Sequence, residues 1–438
     1  MKQHVKLGVI ALARKTFDWQ EAQKIYTKTL GDLETLENVD IIAEENLVIE
    51  VEDAKRAAEK ISAKHVDGLI VISATFHLGH LALTIQKYFE NVPLLLWAFD
   101  ELPYDGGKIR LNSVCGLNLN ASNLYKAGVD GYVAHVGNTV PEDFVDAVRM
   151  TAALKSARVA MIGYHAHGFF NLGVEALAPY RNFGVLIDHF ELSDFFGRKV
   201  SEEKILARKE SILKTFDASG ITERQVDLLA NLVESAKSFL DENGITCAAV
   251  RCWPEMAASY GISPCAAMSV LADEGYILAC EGDIEGALSM LCFKAVGTDT
   301  PFLADLSQVD LKEDFALMWH DGVAAPSLCD GNCAACLDTY FAGGKGVTAD
   351  FTLKPGRVTI ARIDTARGKT RLLTALGTAE SVKKEIKGTY SKVRFDEGTS
   401  ELLEKVIYTG VAHHVAYAYG EHEKTLKTFA KINGLEVL

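Results

Sequence analysis

Two short apolar runs of this 438-residue chain end in carboxylates. Cys247–Val250 leads to Glu255, and residues 276–279 lead to Glu281 and Asp283. Runs of this length and composition read as buried strands. In an α/β protein the carboxyl ends of neighbouring strands open on one crevice. Acids delivered there can hold a hard divalent cation or carry a proton. The same acids can also serve as helix caps, since Asp283 directly precedes a helical run over 284–291.

Three histidine pairs could join them: His77/His80, His165/His167 and His413/His414. The first two pairs follow strand-like runs, on loops where sites gather, and are candidates for substrate contact. His413 and His414 lie in a strand-like segment over 411–419, where alternation points the two rings to opposite faces. One ring is then buried, either as a metal ligand or as a core residue. Arg251 and His320 are candidates for substrate contacts, or else for a structural salt bridge or cap.

Cys329, Cys333 and Cys336 form C-x3-C-x2-C, the spacing with which radical SAM enzymes hold an iron–sulfur cluster. Those enzymes usually place an aromatic before the last cysteine, where this chain has Ala335. Zinc would need a fourth ligand, such as His320. The alternative is a loop of small residues with ordinary thiols. Other signals are missing: no G-x-G-x-x-G follows the first strand, and neither G-x-x-x-x-G-K-[ST] nor G-x-S-x-G occurs.

The elements that must position these groups follow an α/β pattern. Strand-like runs at 7–12, Val39–Ala43, Gly68–Ser73 and 93–98 alternate with amphipathic helical stretches. That alternation is the mark of a parallel sheet covered by helices. A second such run opens at 157–163. Residues 347–377 change character, alternating as an antiparallel meander or small barrel with turn glycines. The expected domains are 1–155, 156–300 and 301–438.

Composition narrows the function. A formal charge of −14 argues against nucleic acid or an anionic membrane as partner. No apolar run reaches the roughly 18 residues of a membrane span. Nine cysteines without an export signal point to reduced thiols and the cytoplasm.

Four segments in order, RCWPE, ACEGD, PFLADLS and AHHVAYAYG, resemble the L-fucose/L-arabinose isomerase family, most clearly from residue 247 onward. The resemblance implies two Rossmann-like doubly wound domains and a C-terminal domain with an antiparallel β-barrel. It also implies a homo-oligomer, often a hexamer, that interconverts aldoses and ketoses with a divalent metal, typically Mn2+. Carried over by position, Asp283 and His414 match metal ligands of the fucose branch, and Glu255 matches the remaining metal-binding carboxylate as the arabinose branch places it. Glu255 and Asp283 are then also the proton-transfer groups, and Arg251, His320 and His413 contact the sugar. The wider family includes an isomerase for sulfoquinovose, a sulfonated glucose. Two other readings stand beside this one: a non-catalytic sugar-binding protein, and an iron–sulfur enzyme using the three cysteines.

Overall fold

The computed structural model describes residues 1–438, the side chain of Ala342 excepted. The chain forms two compact units, residues 1–152 with 424–435, and residues 153–423 with 436–438. No helix among the described residues is long and apolar enough to cross a membrane.

The first unit is built on five parallel strands: β1 (Val5–Leu12), β2 (Val39–Ala43), β3 (Gly68–Ser73), β4 (Leu94–Ala98) and β5 (Val133–Val136). Their order is β2-β1-β3-β4-β5. This is one of the two common doubly wound orders. The central strands β1, β3 and β4 are buried on both faces and correspondingly almost wholly apolar. Val5, Leu7 and Val9 of β1 pack with Tyr26 and Leu33 of the helix Trp19–Glu34. Ile10 and Leu12 enter a second core with Ala54, Ala57 and Ile61 of the helix Val51–Ser62.

The second unit contains a smaller parallel sheet and a closed barrel. The sheet holds β6 (Arg158–Ile162), β7 (Leu186–Phe190), β8 (Cys247–Val250) and β9 (Ile277–Ala279), in the order β7-β6-β8-β9. Then come β10 (Phe302–Asp310), β11 (Phe315–His320), β12 (Cys336–Asp338), β13 (Thr348–Thr352), β14 (Gly356–Ala366), β15 (Lys369–Glu380), β16 (Thr389–Phe395), β17 (His414–Tyr419) and β18 (Glu436–Val437). Six of these close on themselves through antiparallel pairs, in the circuit β16-β11-β10-β17-β14-β15 and back to β16. The β14–β15 hairpin turns on Arg367 and Gly368, both with positive φ. Two central residues with positive φ make the tight turn whose twist matches paired strands. One core joins sheet and barrel, with Ala160, Val250 and Phe239 packed in the same cluster as Phe302, Ile360 and Tyr417.

The strand expected over 411–419 begins only at His414. The helix Thr399–Thr409 ends on left-handed Gly410, and the Val411 N–H still bonds back to Val406 O. The chain is therefore still unwinding from that helix at residue 411. His413 lies before the strand, so strand alternation does not set its direction.

His77, a loop histidine read as a candidate for substrate contact, is a core residue. Its Nε2 lies 3.0 Å from Ser73 Oγ and accepts from Asn120 Nδ2 at 3.3 Å. Burial lowers its pKa to about 4. Below the unfolded value of about 6.5, the unfolded chain takes up a proton that the native histidine refuses. Stability is therefore lost as pH falls from about 6.5 toward 4, by about 3 kcal/mol from this group alone. Urea unfolding of the wild-type protein and His77→Gln across that range should show the wild type losing more stability. Parallel curves would contradict the assignment.

Candidate active site

The site is organised around His414, the first residue of β17, whose ring is buried. Its Nδ1 lies 3.0 Å from Asp283 Oδ2. Asp283 is fully buried and caps the helix Ile284–Ala295, accepting from Gly286 N at 2.9 Å. Its oxygens also take both guanidinium nitrogens of Arg362 on β14, at 2.7 and 3.2 Å. Arg362 donates further to the His414 carbonyl at 3.1 Å. Burial alone would raise the Asp283 carboxyl, but the charges of Arg362 and His414 hold it far below the carboxylate range.

With Nδ1 tied to Asp283, Nε2 of His414 faces the other way. Glu281 Oε2 stands 3.0 Å from it and Asp305 Oδ1 3.4 Å. Asp305 lies directly opposite His414 in the β10–β17 ladder. His320 ends β11, the strand on the other side of β10. Its ring centroid is 5.7 Å from that of His414, and its Nδ1 is hydrogen-bonded to Asp321 at 2.8 Å. Three adjacent barrel strands thus supply His320, Asp305 and His414, while Glu281 arrives from the end of β9.

Glu281 is held by an unusual backbone. It sits at φ 62°, a left-handed conformation that side chains other than glycine seldom adopt. The next residue, Gly282, also has positive φ, and a Cβ there would collide with the backbone at Tyr164 and His165. Strain of this kind persists where the surrounding structure fixes it, and functional groups are often found there. Trp253 Nε1 donates to Glu281 Oε1 at 2.8 Å and aims the carboxylate. Burial works to raise this carboxyl, and the hydrogen bond and charge of His414 outweigh it, so it lies below its usual range. Burial likewise works against charging His414, but Asp283 and Glu281 push its pKa up to about 10.

The cluster has the chemistry of a metal centre. Ligand atoms of Asp305, His320 and His414 lie within 4.8 Å of one another, as do those of Glu281, His413 and His414. His320 Nε2 and Asp305 Oδ1 are buried and have no hydrogen-bond partner. Unpaired buried polar atoms are costly, and a shared cation would satisfy both. Each central histidine has its other nitrogen on a carboxylate, the usual outer support of a metal-binding imidazole. The residues present therefore fit a divalent ion.

A cavity of about 720 Å3 opens on this cluster. Glu281, Asp305, His320 and Asp321 line it on one side, with Trp253, Trp319, Tyr340 and Phe341 as aromatic walls. Such a space suits one sugar, whose apolar faces stack on aromatic rings.

The residues singled out in the sequence fall into three places. His414, His320 and His413 are at the cluster, His413 half-buried with Nε2 4.0 Å from Glu281. Asp283 is behind it, with its oxygens on Arg362, Gly286 N and His414. Glu255 opens the short helix Glu255–Ser259 and forms a two-bond pair with Arg251, so the salt-bridge alternative describes Arg251 as it stands. Asp305 was not singled out, although an acid inside the apolar run PFLADLS is the signal that marks it. His165 turns its Nδ1 toward Ala166 O and rests on Tyr164. Cys329 and Cys333 group with Asp330, while Cys336 Sγ bonds Ala334 O and stands outside that group. His320, the suggested fourth zinc ligand, belongs to the barrel cluster instead.

The chain is similar to known sugar isomerases. The N-terminal domain of fucose/sulfoquinovose isomerases matches residues 8–160, and the C-terminal domain of L-fucose isomerases matches residues 327–438. A sulfoquinovose isomerase of Priestia aryabhattai is 26% identical over 99% of this chain and 99% of its own length. Those of Alkalicoccus urumqiensis and Clostridium sp. (strain MSTE9) are also 26% identical, covering 85% and 98% of this chain and 86% and 98% of their own lengths. These matches define an aldose–ketose isomerase acting on sugars. The chain belongs to the fucose/sulfoquinovose isomerase family.

The Asp283–Arg362 pair is fully buried, so removing one partner strands the other. Arg362→Met should lower the unfolding free energy by about 3–5 kcal/mol. Denaturant titration measures it, and a loss below about 1 kcal/mol would show that the pair is not the anchor described.

Proposed function

We propose that the protein converts a sulfonated hexose of the sulfoquinovose type into its ketose through an enediol. The observation that carries this is the convergence of His320, Glu281 and Asp305 on the wall of a sugar-sized cavity, with His414 Nε2 3.0 Å from Glu281 and 3.4 Å from Asp305. The full-length similarity to sulfoquinovose isomerases supports the choice of sugar.

Glu281, Asp305, His320 and His414 would hold a divalent ion, in the proposal Mn2+, with Asp283 orienting His414 from behind. When bound, such an ion polarises the sugar oxygens at C1 and C2 and stabilises negative charge on them. This ligand set moves Asp283 from ligand to support, because its lone pairs are already engaged.

Moving the carbonyl from C1 to C2 takes a proton from C2 and returns one to C1. Glu281 is the proposed acceptor of the C2 proton. Glu255 is the proposed second carrier, since its helix brings Ala257 and Ala258 into the cavity lining. It can serve once Arg251 turns from it toward substrate. Asp321 fixes the His320 ring, and Trp253 fixes the Glu281 carboxylate. The aromatic walls exclude water from the enediol face.

The same proposal includes two Rossmann-like parallel sheets, domain divisions near 155 and 300, a cytoplasmic hexamer, and His413 as a sugar contact. Light scattering that gave the mass of a single chain would remove the hexamer.

The test is turnover of sulfoquinovose by Mn2+-loaded protein in deuterated water. Deuterium should appear on C1 of the ketose, because a carboxylate-held proton exchanges with solvent. Glu281→Gln should lower kcat by about 10²- to 10⁴-fold. Quantitative retention of the substrate C2 hydrogen over many turnovers would contradict the enediol path.

A further inference from the structure

The cavity poses an electrostatic problem for an anionic sugar. Glu281, Asp305 and Asp321 all line it, and a sulfonate at the end of the sugar away from the ion that Glu281 and Asp305 would hold needs a cation of its own. Among the lining residues one side chain is cationic: Lys345. Arg251, the nearest arginine in sequence to the site loops, is engaged by Glu255.

Lys345 lies in the segment FAGGKG, which folds into a tight turn. Gly344 N and Gly346 N both bond to Phe341 O, at 3.1 and 3.2 Å. Gly343 and Gly344 have φ 62° and 82°, which lets the chain reverse over so few residues. The Lys345 carbonyl accepts from Ser263 N at 3.0 Å, pinning the backbone from which the side chain extends. Its ammonium forms no ion pair among the described residues, whose thirty-five ion pairs all involve other side chains.

We propose that Lys345 is the specificity-determining residue for the sulfonate of the substrate. The inference rests on the sulfonated-sugar reading above. With the sulfonate at Lys345, the C1–C2 end of the sugar points to Glu281, Asp305 and His414, and the ring lies against Trp253, Trp319, Tyr340 and Phe341. A charge-assisted hydrogen bond to the anion fixes which end enters. Lys345 touches no reacting atom, so its effect falls on binding and on the choice between anionic and neutral sugars.

The experiment compares wild-type protein, Lys345→Met and Lys345→Arg on sulfoquinovose and on its neutral 6-deoxy counterpart, at low and high salt. Lys345→Met should raise KM for sulfoquinovose by about 10- to 100-fold at low salt while changing the neutral sugar by less than about 3-fold. Lys345→Arg should restore most of the loss, and the wild-type advantage should shrink as salt rises. Equal losses on both sugars would show a structural role and overturn the proposal, as would an unchanged KM for sulfoquinovose in Lys345→Met. Failure of the wild-type protein to isomerise sulfoquinovose while it turns over the neutral sugar would overturn the underlying reading together with this one.

Discussion

The ion pair between Asp283 and Arg362 is the constraint from which the site follows. Both side chains have no exposure, so neither charge can relax into solvent. Two charges so placed must satisfy each other and need further hydrogen bonds. Asp283 finds them in the N–H of Gly286 and the Nδ1 of His414, and Arg362 finds one in the His414 carbonyl. The pair thereby ties together the start of a helix, a barrel strand and the imidazole that meets Glu281 and Asp305. The direction of His414 Nε2 is a consequence of this buried arrangement, not of anything in the cavity.

The closed barrel supplies the second constraint. Strands β11, β10 and β17 are neighbours with fixed register, so His320, Asp305 and His414 are delivered to one place by backbone hydrogen bonds. Glu281 reaches the same place from the parallel sheet, through a left-handed turn that only Gly282 can follow. Flexible loops would hold such a group less firmly than these elements do. The negative charge gathered there is excessive for a protein interior, and this is why His414 retains a proton so strongly in the absence of another cation.

Much of the scaffold was legible in the sequence. The alternation of apolar runs and amphipathic helices gave the first parallel sheet, and the β-patterned stretch over 347–377 gave part of the barrel. His414 and His320 were visible as candidates. The carboxylates were harder, for a physical reason: Glu281 and Asp283 are two residues apart, and only the left-handed turn decides which one faces the cavity. Asp283 fulfils the cap reading that its position before a helix suggested, and it also orients His414. Asp305 stayed hidden because its partner, His414, is over a hundred residues away and meets it only when the barrel closes. Arg362 gave no signal, since nothing local marks an arginine in an alternating strand as buried.

The account turns on both imidazoles, His320 and His414, meeting one ion. Pulsed electron paramagnetic resonance of Mn2+-loaded protein counts directly bound imidazole nitrogens. Two are expected in the wild-type protein and one in His320→Gln, with the ion still bound. A wild-type spectrum without histidine coupling, or one unchanged by His320→Gln, would contradict the site described.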